Sequence, residues 1–263
     1  MNVEVSGMRL DKRDGVGVIV LDNPPANAFD YAGLQRLAGL IEQARYDDGI
    51  RAVVVASESP RFFSAGADIR AFHGATPRQR AMTSLLGHEV FRKIEQTPMV
   101  FVAAIAGHAA GGGLELAMAC DLRFAAEGDY TLGLGEVKLG LFPGMGGTQR
   151  LTRLVGLSLG LDMIVTGRSV TPAEARHMGL VDQLYPGREA CEAAAFDYCA
   201  AVAAGPSEAI GHAKTAVALG YAGPLDAGLA LEREAIAHIF ATGDAAEGIA
   251  AFSSKRSARF HGR

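Results

Sequence analysis

The stretch VFVAAIAGHAAGGGLELAMAC, from Val100 to Cys120, constrains the fold more than any other part of this chain. It is long and apolar enough to cross a bilayer, but His108 and Glu115 would then lie in hydrocarbon and four glycines would crowd its middle. The pattern instead predicts a fully apolar strand over Met99–Gly107, a glycine turn and a buried helix. A strand that is apolar on both faces belongs in a mostly parallel sheet with helices on either side.

The same alternation recurs along the chain. GVGVIVLD, Gly15 to Asp22, reads as a strand that stops at NPPAN, where two prolines forbid further ladder pairing. From Asp30, the apolar residues Leu34, Leu37, Leu40, Ile41 and Ala44 recur at helical steps. IRAVVVAS, Ile50 to Ser57, predicts a second strand, FFSAGADIR a small-residue turn, and Met82–Gln96 a helix. Strands alternating with helices indicate the α/β class.

After about Ser158 the strand signal weakens, and alanine-rich helices are predicted near Glu189–Ala204, Pro206–Leu219, Leu225–Phe240 and Asp244–Ser254. A soft boundary near residues 200–205, just before Gly205 and Pro206 open a helix, divides a core of residues 1–200 from a helical region of residues 201–263. Apolar faces on that region suit packing on the core or against another subunit.

Composition excludes several classes of function. With 25 Lys+Arg against 29 Asp+Glu, the chain carries no field that would draw it to nucleic acid or an anionic membrane. The basic tail SSKRSARFHGR lacks the interleaved aromatics of a stacking platform, so no nucleic-acid partner is expected. Cys120, Cys191 and Cys199 form an odd set without C-x-x-C spacing, against a disulfide framework or a zinc site. MNVEVSGMRL has no apolar signal core, and a cytoplasmic location is the expectation. No metal site, P-loop or H-E-x-x-H motif is found.

Two familiar motifs fail on context. GLSLG, Gly156 to Gly160, matches the nucleophile elbow, but a helix rather than a strand precedes it, so Ser158 reads as a helix cap. Gly144-Met145-Gly146-Gly147 begins like a dinucleotide fingerprint but has Gln149 where the last glycine belongs.

Other residues converge. Ser64-Ala65-Gly66-Ala67-Asp68 lets a ligand carbonyl approach main-chain N–H groups without a steric wall. Gly111-Gly112-Gly113 does the same at the start of a helix, where free amides and the helix dipole favour developing negative charge. Glu115 follows on the same helix in an apolar run, and Glu136 sits among glycine and apolar residues in LGLGEVKLGLFPGMGG. Two carboxylates in apolar settings beside backbone donors can divide into proton donor and acceptor. The alternatives are that the glycines make tight turns only, and that each acid caps a turn or binds Lys138.

FSAGADI at Phe63–Ile69, AGHAAGGGLELAMACDLRFAAE at Ala106–Glu127 and LGEVKLGLFPGMGGTQRL at Leu134–Leu151 together closely resemble the crotonase superfamily, most of all its enoyl-CoA hydratases. The similarity runs from NPPANAF to the terminal KRSARFHGR. It implies a spiral of repeated ββα units with a C-terminal helical region that builds homotrimers, often paired into hexamers. It also implies an acyl-CoA substrate, with coenzyme A part of that substrate and no separate cofactor. The positions that match the family's oxyanion hole are Ala67 and Gly112. Ala65, Asp68, Ile69, Arg70 and Gly111 are implied as substrate-binding, and Lys255 matches a position that often meets a CoA phosphate.

The superfamily hosts many reactions, so the acids must decide. Hydratases resemble this chain in having glutamates at both positions matching Glu115 and Glu136, whereas many isomerases keep only the second. The expected activity is therefore hydration of an enoyl-CoA. The alternatives are isomerisation, hydration of a branched or aromatic acyl-CoA, or a CoA-binding role with little catalysis. One departure stands out: Gly135 precedes Glu136 where many hydratases have proline.

Overall fold

The computed structural model describes residues 7–262; the first six residues of the MNVEVSGMRL segment and Arg263 lie outside them. A unit of one long strand, one or two short strands and one or two helices is wound four times in succession. The first turn is Val16–Leu21, Ala28–Phe29 and the helix Tyr31–Tyr46. The second is Ala52–Ser57, Phe62–Ser64 with Gly66–Ala67, and the helices Ile69–His73 and Pro77–Gln96. Val100–Ile105, His108–Ala110 and Gly112–Ala119 form the third, and Leu122–Ala126, Leu132–Gly133, Gly147–Val155 and Leu157–Thr166 the fourth.

The long strands join one six-stranded sheet in chain order, opened by the antiparallel hairpin of Arg9–Arg13 with Val16–Leu21 and closed by Gln183–Tyr185. All its other pairings are parallel. Period-two alternation sends neighbouring residues to opposite faces. Val53, Val55, Phe101, Ala103 and Ile105 meet the helices Tyr31–Tyr46 and Pro77–Gln96 in one core. Ala52, Val54, Val102 and Ala104 meet Cys191, Ala195, Cys199 and Ala203 of the helix Arg188–Ala203 in a second. Each fully buried Val, Leu, Ile or Phe contributes about 1.5–3 kcal/mol.

The short strands gather separately. Phe62–Ser64, His108–Ala110, Leu132–Gly133 and Ser169–Val170 make a second sheet, and Ala28–Phe29 pairs with Gly66–Ala67. Their side-by-side order brings the turns that follow them, at Gly66–Ala67 and Gly111–Gly112, to one place.

Three further helices, Ser207–Tyr221, Leu225–Ile239 and Gly243–Ser253, end the chain. Lys214 ties the first of them to the core: its buried Nζ donates to Asp121 Oδ2 at 2.8 Å and to the Ile94 and Met99 carbonyls. Val217, Tyr221, Leu225 and Phe240 stand exposed on these helices. No helix among the described residues is long and apolar enough to cross a membrane.

The structure differs from the sequence reading at three points. FFSAGADIR is two short strands and a helical turn, ordered by pairing partners distant in sequence. Gln183–Tyr185 extends the large sheet although its three residues carry no apolar run. Ser158 lies inside the helix Leu157–Thr166, whose cap is Gly156 at φ +87°, a backbone state that suits glycine rather than serine.

Candidate active site

Gly66, at φ +84°, lies against the second glycine turn, and a Cβ there would stand 2.6 Å from both the Ala110 carbonyl oxygen and the Gly112 nitrogen. A Cβ on Gly113 would fall 2.2 Å from the Ser64 carbonyl oxygen. The glycines therefore let the helix Gly112–Ala119 start directly on the backbone of residues 64–67. This close approach puts the Ala67 nitrogen beside Gly112, 3.4 Å from where a Gly112 Cβ would be.

Ala67 and Gly112 line the same cavity. Asp68 donates its N–H to the Phe29 carbonyl at 2.8 Å, so the ladder runs through the peptides flanking Ala67 and the Ala67 N–H projects away from Phe29. Gly112 is the first residue of its helix, where an N–H has no acceptor within the helix.

Glu115 is buried, with 1% of its surface exposed. Its Oε1 accepts N–H groups from Met145 at 2.8 Å and Gly147 at 2.7 Å. The side chain thus supplies an acceptor to the start of the helix Gly147–Val155, whose own cap residue, Gly146, has none. Burial raises the Glu115 carboxyl above its ordinary value, and the Gly147 and Met145 hydrogen bonds with the Arg150 charge oppose that rise.

Glu136 opens the single 3₁₀ turn Glu136–Leu139, and its Oε1 lies 2.9 Å from where a Gly111 Cβ would be. Its buried Oε2 has no hydrogen-bond partner among the described residues. No ion pair joins it to Lys138 among those residues. Burial, reinforced by the nearby Glu115 charge, pushes the Glu136 carboxyl up to about 7. Glu115 is thus fixed by two amides, whereas Glu136 keeps an oxygen free for a proton or a bound donor.

One cavity of about 410 Å³ holds both acids. Of the residues singled out in the sequence, Ala65, Ala67, Ile69, Gly111, Gly112, Glu115 and Glu136 line it. Asp68 does not; its carboxylate caps the helix Ile69–His73 by accepting the Arg70 N–H at 2.9 Å. Arg70 and Lys255 are exposed and also lie outside the lining. Phe72, in the segment RAFHGATPRQRAMTSLL that the sequence places at the acyl pocket, lines the cavity; sequence reasoning missed Leu139, Leu141 and Phe142, which complete its apolar wall, and Met145 and Gly147, which hold Glu115. The signal was GMGG, set aside as a failed dinucleotide motif. Among the described residues no group of three or more His, Cys, Asp or Glu is placed to hold a metal ion.

The buried Glu115 and the half-buried Glu136 thus line one cavity together with Ala67 and Gly112. Residues 11–263 match the enoyl-CoA hydratase/isomerase family, and the chain belongs to that family. It is 38% identical over 252 residues to a protein of Bacillus subtilis (strain 168) named probable enoyl-CoA hydratase, covering 94% of this chain and 95% of that one. It is 32% identical to the short-chain-enoyl-CoA hydratase of Clostridium acetobutylicum, with 97% of each chain covered. The crystal structure of an enoyl-CoA hydratase from Geobacillus kaustophilus HTA426 superposes with a TM-score of 0.95 at 38% identity, over 99% of this chain and 98% of that one. The fold is the crotonase fold. The family acts on acyl-CoA substrates, and the chain is an enzyme of the enoyl-CoA hydratase type, a hydro-lyase.

Proposed function

We propose that this protein hydrates the 2,3 double bond of an enoyl-CoA thioester, with Glu115 and Glu136 as its catalytic residues and the amides of Ala67 and Gly112 as its oxyanion hole. The observation that carries the reading is the buried Glu115 and the half-buried Glu136 together in the cavity that Ala67 and Gly112 line.

A water held between the carboxylates gives a proton to one of them as its oxygen bonds to C3. The π electrons move through C2 to the thioester oxygen as an enolate, and the other carboxyl then delivers its proton to C2. The two amides meet the developing charge, a contribution of roughly 3–4 kcal/mol per donor in comparable oxyanion holes. Because the acids act on each other, their protons come off as those of a pair.

The apolar wall of Phe72, Leu139, Leu141 and Phe142 supports an aliphatic acyl group as the substrate's reacting end. Ala65, Ile69 and Gly111 are proposed to contact the thioester arm. Coenzyme A is larger than this cavity, so its nucleotide end extends outside, where Asp68, exposed Arg70 and exposed Lys255 are proposed to act. No separate cofactor enters the reaction. The exposed apolar residues of the last helices support assembly as a homotrimer or hexamer. Three buried free cysteines support a reducing, cytoplasmic setting.

The test is a comparison of wild type, E115Q and E136Q on crotonyl-CoA. Each variant is expected to lose about 10²–10⁴-fold in kcat, with acyl-CoA affinity within a few-fold of wild type. Turnover retained by either one would remove the two-carboxylate mechanism.

A further inference from the structure

Behind the cavity, one nearly buried cation faces the loop that holds Glu115. Arg150 lies in the helix Gly147–Val155 with 14% of its side chain exposed. Its Nε donates to Glu95 Oε1 at 2.7 Å and its Nη1 to the Met145 carbonyl at 2.8 Å. The Met145 carbonyl lies between the Met145 and Gly147 amides, the two that hold Glu115 Oε1. Gly146, at φ +108°, makes this contact possible, because a Cβ there would stand 2.1 Å from Nη1. Glu95 belongs to the helix Pro77–Gln96, so a rigid element across the core anchors the guanidinium.

We propose that Arg150, held by Glu95, is a positioning residue that clamps the Met145–Gly147 turn and thereby aims its two amides at the Glu115 carboxylate. The inference deepens the hydratase reading and rests on it for its catalytic meaning. Arg150 is not among the residues that line the cavity, so its loss leaves the acyl wall in place. The charged groups around Glu115 are Arg150 behind the loop and Glu136 across the cavity; Arg150 itself faces Glu95. Removing the positive charge and loosening the amide bonds both raise the Glu115 carboxyl, since both act against its burial.

The experiment combines crotonyl-CoA kinetics with a carboxyl-carbon NMR titration of Glu115, read without substrate, for wild type, R150Q, R150K, E95Q and L151A. Leu151 is buried in the hydrophobic core on the same helix, so L151A reports on simple loss of stability. R150Q is expected to lower kcat about 30-fold with KM within about threefold, and to move the Glu115 titration up by about one unit. E95Q shows a smaller change in the same direction, R150K recovers part of it, and L151A leaves the titration where it is in wild type. A Glu115 titration unchanged in both R150Q and E95Q, or an equal shift in L151A, overturns the proposal. A wild type that hydrates no enoyl-CoA would remove the functional reading alone, because the titration still decides whether Arg150 governs Glu115.

Discussion

Glu115 Oε1 accepts the Gly147 amide at 2.7 Å, joining the helix of one turn of the spiral to that of the next across 32 residues of sequence. The bond fixes the carboxylate's position, and it depends on glycine at 147. A Cβ there would stand 3.0 Å from Glu115 Oε1, 2.8 Å from Pro143 Cβ and 2.9 Å from Leu134 Cδ1. Gly147→Ala is expected to lower kcat about 10–100-fold with a smaller effect on KM, as measured by steady-state hydration of crotonyl-CoA. Wild-type kcat in this variant would contradict the role given to the bond.

Glu136 makes stability depend on pH. Its carboxyl binds a proton more tightly in the folded chain, at about 7, than at its ordinary value of 4.5. Between those values the folded state holds more protons than the unfolded one, so stability falls as pH rises through the window. E136Q removes this penalty. The variant should be more stable than wild type by up to about 3 kcal/mol at pH 8, with the advantage fading as pH drops below about 4.5. Urea denaturation at both pH values measures the difference, and a constant offset across the range would count against a raised Glu136.

Gly66→Ala combines two costs. The φ of +84° disfavours any side chain, and the added Cβ would meet Ala110 and Gly112 backbone atoms at 2.6 Å. Stability should fall by at least about 1–3 kcal/mol, and turnover should be lost as the Ala67 and Gly112 amides separate. Equilibrium urea denaturation and the hydration assay together check this, and an unchanged midpoint would be inconsistent with the close approach.

Gly135 is the opposite case. Its φ of −94° is ordinary, and a Cβ there meets nothing within 4 Å. Gly135→Ala should therefore raise stability by about 0.4–1 kcal/mol by restricting the unfolded chain, with hydration retained. A fall in the thermal midpoint would show that the backbone before Glu136 needs glycine.

Where local pattern and tertiary structure agreed, the sequence was readable. Leu34, Leu37, Leu40, Ile41 and Ala44 recur at helical steps and are all buried on the helix Tyr31–Tyr46. The apolar run Val100–Ile105 is a strand packed on both faces. Glycines at 66 and 111–113 announced close backbone contact, although not which backbone they approach. Gln183–Tyr185 was invisible because the pairing edge of Leu122–Ala126, rather than its own residues, makes it a strand. The donors to Glu115 were hidden for a related reason: they are main-chain amides, which have no residue signature. Nothing in TQRL marks Arg150, whose partners Glu95 and the Met145 carbonyl come to it only in the fold.

The most direct test of the central claim is to add the purified protein to crotonyl-CoA, follow absorbance of the conjugated enoyl-thioester band, and weigh the product. The account predicts rapid loss of the band and a product heavier by one water. A band that persists while the ester binds, or a product of unchanged mass, would contradict it.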